Sequence, residues 1–159
     1  PNKNLSRIAE ALEGISCTLV VLGNLPEEST NRLNSLGIDF EIHKGLSRPA
    51  VSELYRNCDF LLFPSTIEGF GLPIIEAQAS GIPVITSNIS AMPEVAGKGA
   101  CLVDPYDSTS IRKAVVKLIA DENFREELVK HGSLNVQRFD PHKIAELYAS
   151  IYRQIGYLH

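Results

Sequence analysis

Tryptophan is absent from the 159-residue sequence, methionine occurs once and cysteine only three times. Long apolar runs are missing too. The longest is a handful of residues, far short of the roughly 20 that a membrane-spanning helix needs. The opening residues show no basic-then-apolar pattern, so no signal peptide is expected. Nor is there an excess of positive charge. Fifteen Lys and Arg stand against nineteen Asp and Glu, a net charge of −4. Without a broad basic field, nucleic acid is not expected as a partner. Cys17, Cys58 and Cys101 each lie within or beside an apolar run. They are too far apart for a redox or metal motif and read as reduced core thiols of a cytoplasmic protein. No histidine pair has metal-ligand spacing, so no metal site is expected. Ser65 and Thr66 have no legible His–acid partner, which argues against a hydrolytic nucleophile.

What is present is ordinary globular material: 44% apolar and 21% charged residues, at a length that favours one domain. The chain enters a helical pattern within a few residues of Pro1, and is expected to be one part of a longer polypeptide. Apolar strand patterns then alternate with helical ones. Leu5, Ile8, Ala9 and Leu12 share a helical face, with Gly14 placed to end it. Cys17 to Leu22 is a continuous apolar run, as in a strand buried on both faces. Pro26 to Glu28 reads as a first helical turn, with Leu33 and Leu36 facing the core. Phe40 and Ile42 alternate in a short strand. Ser47 is placed to cap a helix bearing Val51, Leu54 and Tyr55. Phe60 to Phe63 reads as a buried strand, and Pro73 opens a helix that stops at Gly81. Further strands are expected at Val84–Ile85 and Ala100–Val103. Three helices follow: one capped by Asp107 or Ser108, one ending near Gly132, and one opened by Asp140-Pro141. Tyr148 and Tyr152 on the last read as packing residues. The pattern predicts a doubly wound α/β domain, a parallel sheet of five or six strands closed by C-terminal helices. Ligands bind such sheets beyond the carboxyl ends of the strands, here the loops after Leu22, Ile42, Phe63 and Ile85.

One loop carries chemistry. Pro64-Ser65-Thr66-Ile67-Glu68-Gly69-Phe70-Gly71-Leu72-Pro73 follows a strand and runs into a helix. Gly69 and Gly71 let backbone approach a ligand closely, and Pro73 suits the first helical position. The free amides of Gly71, Leu72 and the first turn then form an anion site at the positive end of the helix. A carboxylate beside such a site accepts hydrogen bonds from a vicinal diol, as on a ribose. The residues therefore predict a nucleoside diphosphate site: phosphates on the Gly69–Leu72 amides, ribose on Glu76.

The stretch Glu68-Gly69-Phe70-Gly71-Leu72-Pro73, with Glu76 following, resembles the signature of the retaining group 1 (family 4) glycosyltransferases of GT-B fold. Glu53 to Asp59, Gly81 to Ile85, Pro93 to Gly97, Leu102 to Pro105 and Lys3-Asn4-Leu5 resemble further parts of that family. The resemblance implies that residues 1–159 form the Rossmann-like, donor-binding C-terminal half of a GT-B enzyme. The N-terminal acceptor domain is absent from this stretch. It also implies that Glu76 binds ribose, that Glu68 lies by the donor sugar, and that Gly69, Phe70, Gly71 and Leu72 contact sugar and phosphate. Lys3 would neutralise the diphosphate, and Gly45 and Leu46 would pack on the base. The expected partners are a nucleotide diphosphate sugar and the enzyme's other domain. The full enzyme would transfer a sugar with retention to a glycan, polysaccharide or lipid-linked acceptor, with no cofactor and no obligatory metal. It would work in the cytoplasm or, through the other domain, at the inner membrane face. The alternatives are a nucleotide-sugar epimerase or phosphorylase of the same fold, and a non-catalytic nucleotide-binding module.

Overall fold

The computed structural model describes residues 2–156. In chain order these form α1 (Leu5–Leu12), β1 (Thr18–Leu22), α2 (Glu27–Ser35), β2 (Asp39–His43), α3 (Arg48–Arg56), β3 (Leu61–Phe63) and α4 (Leu72–Ala79). Then follow β4 (Val84–Ser87), α5 (Met92–Ala96), β5 (Cys101–Val103), α6 (Ser108–Ala120), α7 (Glu122–Val136), a short 3-10 turn (Gln137–Phe139) and α8 (Pro141–Gln154). Every strand pairing is parallel, as strand–helix alternation demands. Among the described residues no helix is long and apolar enough to cross a membrane.

Side-chain alternation along the strands divides the core between two helical layers. Ile85 joins a cluster with Ile8 and Leu12 of α1 and Ile111, Val115 and Leu118 of α6. Its neighbour Val84 joins Ile74 and Ala77 of α4 and Met92 and Val95 of α5. Leu62 follows the first layer, Leu61 and Phe63 the second. All four residues of β4 are buried because helices cover both faces and strands lie on both sides. This is the doubly wound α/β architecture predicted from the sequence.

Three expectations need correction. The strands form two ladders, β1-β2 and β3-β4-β5, rather than one sheet. β1 and β3 are therefore edge strands, and their apolar runs are only half-buried, with Leu22 49% exposed. A cavity of about 2130 Å³ lies between them. Gly132 does not end a helix: α7 continues to Val136. It is instead a contact point, because a Cβ on Gly99 would stand 2.5 Å from the Gly132 Cα. Tyr148 and Tyr152 are exposed, their rings 6.5 Å apart, on a helix with no buried residue. A small helix, α5, was not expected from the pattern.

The contact between α4 and α7 is also polar. Gln78 Nε2 donates to the carbonyls of Ala96 (2.9 Å) and Gly99 (3.1 Å). Asn135 Nδ2 donates to Gln78 Oε1 and to the Val95 carbonyl, both at 2.8 Å. Gln78 and Asn135 are buried, so these bonds satisfy groups that would otherwise be costly. Gly99→Ala is expected to lower the unfolding free energy by about 1–3 kcal/mol, since the new methyl meets backbone that cannot swing aside. Urea unfolding followed by circular dichroism measures this directly.

Candidate functional site

The site begins where β3 ends. Pro64 and Ser65 are fully buried, and Ser87 Oγ of β4 donates to the Ser65 carbonyl at 2.5 Å. The chain then turns outward. Glu68 is held by Ser90, whose hydroxyl donates to the Glu68 carbonyl (2.9 Å) and accepts from the Glu68 amide (3.4 Å). Ser90 itself adopts φ 59°, which aims its hydroxyl back at this loop at the cost of some backbone strain.

Helix α4 starts in the way the anion-site reading requires. Gly71 is its N-cap at φ 100°, a conformation that favours glycine. Leu72 is the first helical residue and Pro73 the second, one position later than expected. Among the described residues the amides of Gly69, Phe70, Gly71 and Leu72 have no hydrogen-bond partner. Nothing stands within 4 Å of where a Gly69 Cβ would sit, so the bend is open at Gly69, while Gly71 is buried over Ile74. The Phe70 ring is engaged elsewhere, edge-on to Phe139 with centroids 5.7 Å apart. A run of free donors at a helix N-terminus favours an anion.

Charged side chains surround the bend. Lys3 Nζ donates to Glu68 Oε1 at 2.6 Å and lies 4.6 Å from the centroid of the Phe63 ring. The Lys3 side chain is 57% exposed, that of Glu68 only 14%. The approach depends on Asn4, the buried N-cap of α1, with φ 59°. Its Nδ2 donates to the carbonyls of Pro64 (3.0 Å) and Pro105 (2.6 Å). The Thr66 amide donates to the Asn2 carbonyl at 2.9 Å. The segment Asn2–Asn4 is thus fastened beside the loop that follows β3.

Glu76 is exposed, in the second turn of α4. It stands about 6 Å along the axis from Leu72, at 1.5 Å rise per residue. The Tyr55 hydroxyl donates to its Oε2 at 3.2 Å. Burial first, and the Glu76 charge and hydrogen bond second, push the Tyr55 hydroxyl well above its ordinary pKa. Tyr55 therefore remains a donor across the physiological range. This bond leaves Oε1 of Glu76 without a protein donor among the described residues.

The structure brings Lys3, Glu68 and the Gly69–Leu72 bend together and sets Glu76 on the same helix. Gly45 and Leu46 lie in the loop between β2 and α3, Gly45 exposed at φ 64° and Leu46 half-buried. Among the described residues no hydrogen bond of theirs reaches the bend; α3, which they precede, reaches α4 through Tyr55. The sequence reading missed Ser90 and treated Tyr55 as core only. A tyrosine on an apolar helix face was the available signal for Tyr55, since its hydroxyl must find a partner. Nothing local marks Ser90. Among the described residues no cluster of His, Cys, Asp or Glu could hold a metal. Burial raises the thiol pKa of Cys17, Cys58 and Cys101, which keeps all three protonated.

A family model described as glycosyl transferases group 1 matches residues 1–135. A curated relative, serotype-specific mannosyltransferase WbdA from Escherichia coli, is 38% identical over 86 residues, covering 54% of this chain and 11% of the relative. Two solved structures share the fold. Sucrose-phosphate synthase from Thermosynechococcus elongatus superposes with a TM-score of 0.84 at 24% identity, over 97% of this chain and 42% of that one. HepE from Anabaena, in complex with UDP and glucose, gives 0.79 at 21% identity, over 93% and 44%. The chain therefore spans about a tenth of the curated relative and less than half of either solved chain.

Two variants separate placement from pairing. Asn4→Ala orphans two buried carbonyls and is expected to cost about 1–3 kcal/mol of stability. Glu68→Gln removes the charge of a mostly buried carboxylate but keeps an acceptor oxygen for the exposed Lys3 ammonium, and is expected to change stability by about 1 kcal/mol. A urea titration of both proteins compares them.

Proposed function

The chain belongs to the group 1 glycosyl transferases, and we propose that it forms the half of such an enzyme that binds a nucleotide diphosphate sugar. The observation that carries this reading is the row of free amides from Gly69 to Leu72 at an open bend, with an exposed carboxylate farther along the same helix. The diphosphate would lie on those amides, where the helix dipole favours negative charge. Glu76 Oε1 would accept from the ribose hydroxyls while Tyr55 holds Oε2. The spacing of Glu76 from Leu72 suits a nucleoside whose ribose is joined directly to its phosphates. Gly45 and Leu46, at the carboxyl end of β2, would pack beside the base.

Lys3 then has two partners to choose between. Its exposed ammonium rests on Glu68 and can turn to a phosphate oxygen without moving Asn4. Charge on the departing nucleoside diphosphate grows as its bond to the sugar breaks, so Lys3 would stabilise the transition state more than the ground state. Freed of Lys3, Glu68 would accept hydrogen bonds from the donor sugar. The sugar's anomeric carbon would leave the diphosphate oxygen and bond the acceptor oxygen on the same face. The acceptor proton would pass to the departing phosphate, which retains configuration and requires no metal. A second domain would bring the acceptor and expel water. The mannosyltransferase activity named for the E. coli relative suits a glycan or polysaccharide acceptor, met on the cytoplasmic side.

Calorimetry with UDP, GDP and ADP tests the reading. One of them is expected to bind the 159-residue chain weakly, with no sugar transfer by this chain alone. Glu76→Ala is expected to weaken that binding at least about tenfold, the minimum for a lost charged hydrogen bond of about 1.5 kcal/mol. Lys3→Ala should weaken nucleoside diphosphates more than the bare nucleoside. Equal affinities for wild type and Glu76→Ala would remove Glu76 from the site, and sugar isomerised without acceptor would indicate an epimerase.

A further inference from the structure

We propose that Ser90 is a positioning residue that aims the Glu68 carboxylate at the donor sugar. The inference rests on the donor-site reading above and adds a member that does not touch the ligand. It starts from a seam of hydroxyls. Three side chains of β4 and the turn after it donate to the backbone of β3 and the loop that leaves it. Thr86 Oγ1 donates to the Phe63 carbonyl (2.9 Å), Ser87 Oγ to the Ser65 carbonyl (2.5 Å) and Ser90 Oγ to the Glu68 carbonyl (2.9 Å). Thr86 and Ser87 are fully buried and join the two strands inside the core. Ser90 is exposed, at the end of the seam that reaches the open bend.

The Ser90 contact differs in kind from the other two. A hydroxyl carries one donor proton and two accepting lone pairs. The proton goes to the Glu68 carbonyl, and the oxygen also accepts from the Glu68 amide at a longer 3.4 Å. The N–H and C=O of one residue thus converge on one atom. That restrains both φ and ψ of Glu68, and with them the direction of its Cα–Cβ bond. Among the described residues no other hydrogen bond reaches the backbone of residues 67–70. Ile67 on one side is exposed, and Gly69 on the other has no side chain to pack. Little else in the loop holds Glu68.

The backbone of Ser90 shows what this clamp requires. A serine at φ 59° carries strain that glycine would not. Its neighbours keep it there: Ile89 and Ala91 pack on the cluster around Met92, and the Asn88 amide donates to the Val103 carbonyl at 2.8 Å. Glycine would relieve the strain but has no hydroxyl for Glu68. The second anchor of Glu68 is its ion pair with Lys3. In the proposed donor site Lys3 turns to the diphosphate. Ser90 is then the restraint that remains while the carboxylate accepts from the sugar hydroxyls.

Ser90→Gly and Ser90→Ala test this. Both lack the hydroxyl, and only the glycine relieves the backbone. Without nucleotide, 15N relaxation is expected to find Glu68 and Gly69 rigid in the wild-type chain and mobile in both variants, with order parameters falling from about 0.85 to below about 0.6. Calorimetry then compares UDP with UDP-glucose, GDP with GDP-mannose and ADP with ADP-glucose. For the base that binds, both variants are expected to lose at least about tenfold more affinity for the nucleotide sugar than for the diphosphate, the loss of one charged hydrogen bond to the sugar. A merely structural role would show elsewhere: the urea midpoint would fall in Ser90→Ala, and Ser90→Gly would discriminate between the two ligands as wild type does. Glu68 equally ordered in all three proteins would overturn the proposal. So would a ratio of the two affinities that Ser90→Gly leaves unchanged. Glu76→Ala tells the two failures apart. If it weakens nucleotide binding while the Ser90→Gly ratio stays fixed, the donor site stands and the role of Ser90 falls. A wild-type chain that binds none of the nucleotides removes both.

Discussion

The carboxamide of Asn4 is the joint on which the site depends. It is buried, it sits in the left-handed region, and it donates to the carbonyls of Pro64 and Pro105, which end β3 and β5. Asparagine suits this point on two counts. It tolerates the left-handed region better than most residues, and its amide carries two protons that reach two carbonyls at once. The start of α1 is thereby fixed against two loops that are 60 and 101 residues away in sequence. Lys3 inherits its place beside Glu68 from this arrangement. A long flexible side chain delivers a charge usefully only when its backbone is held, and here the adjacent residue does the holding.

Much of this was legible in the sequence. Helix stripes such as Ile111, Val115 and Leu118 follow a 3.6-residue period, and the structure buries them as that period requires. The bend before α4 was legible because glycine and proline restrict backbone directly: Gly71 supplies the left-handed cap and Pro73 the early helical turn. The reading failed where the answer lay in tertiary neighbours. The apolar run of β1 says that a strand there would be covered on both faces, but not that it would stand at the edge of its ladder and be only half-buried. Gly132 looks like a terminator locally, and only the Gln78 side chain packed 3.0 Å from where its Cβ would sit shows why glycine is needed there. Ser90 lies 22 residues from Glu68, beyond any local pattern.

Helix α4 serves the core and the site with different faces. Its inner face carries Ile74 and Ala77, fully buried, and Gln78, tied to Asn135, Ala96 and Gly99. Its outer face carries Leu72 and Glu76, both exposed. The same residues that set the helix start also lock it, for the Gly71 carbonyl accepts from the Ile74 amide while the Ile74 side chain packs beneath Gly71. The amides at the bend are therefore positioned before any ligand arrives, and little backbone ordering is left to oppose binding.

That rigidity shifts adaptation onto side chains. The aromatic contact of Phe70 with Phe139 and the hydrogen bond from Arg138 to Asn135 tie the bend and α4 to the end of α7. Tyr55 fixes one oxygen of Glu76 from α3. Of the groups around the bend, Lys3 alone combines a charge, high exposure and a single anionic partner that a phosphate can replace. In the proposed donor site, exchange of that one ion pair would let the resting arrangement hold a diphosphate. The Lys3 end of the pair is open to solvent but Glu68 is only 14% exposed, so breaking it costs about 1–3 kcal/mol. A diphosphate on the bend amides would offset that with charge-assisted hydrogen bonds of about 1.5–3 kcal/mol each. The balance favours a lysine that waits on Glu68 over one that must be assembled by folding around the ligand.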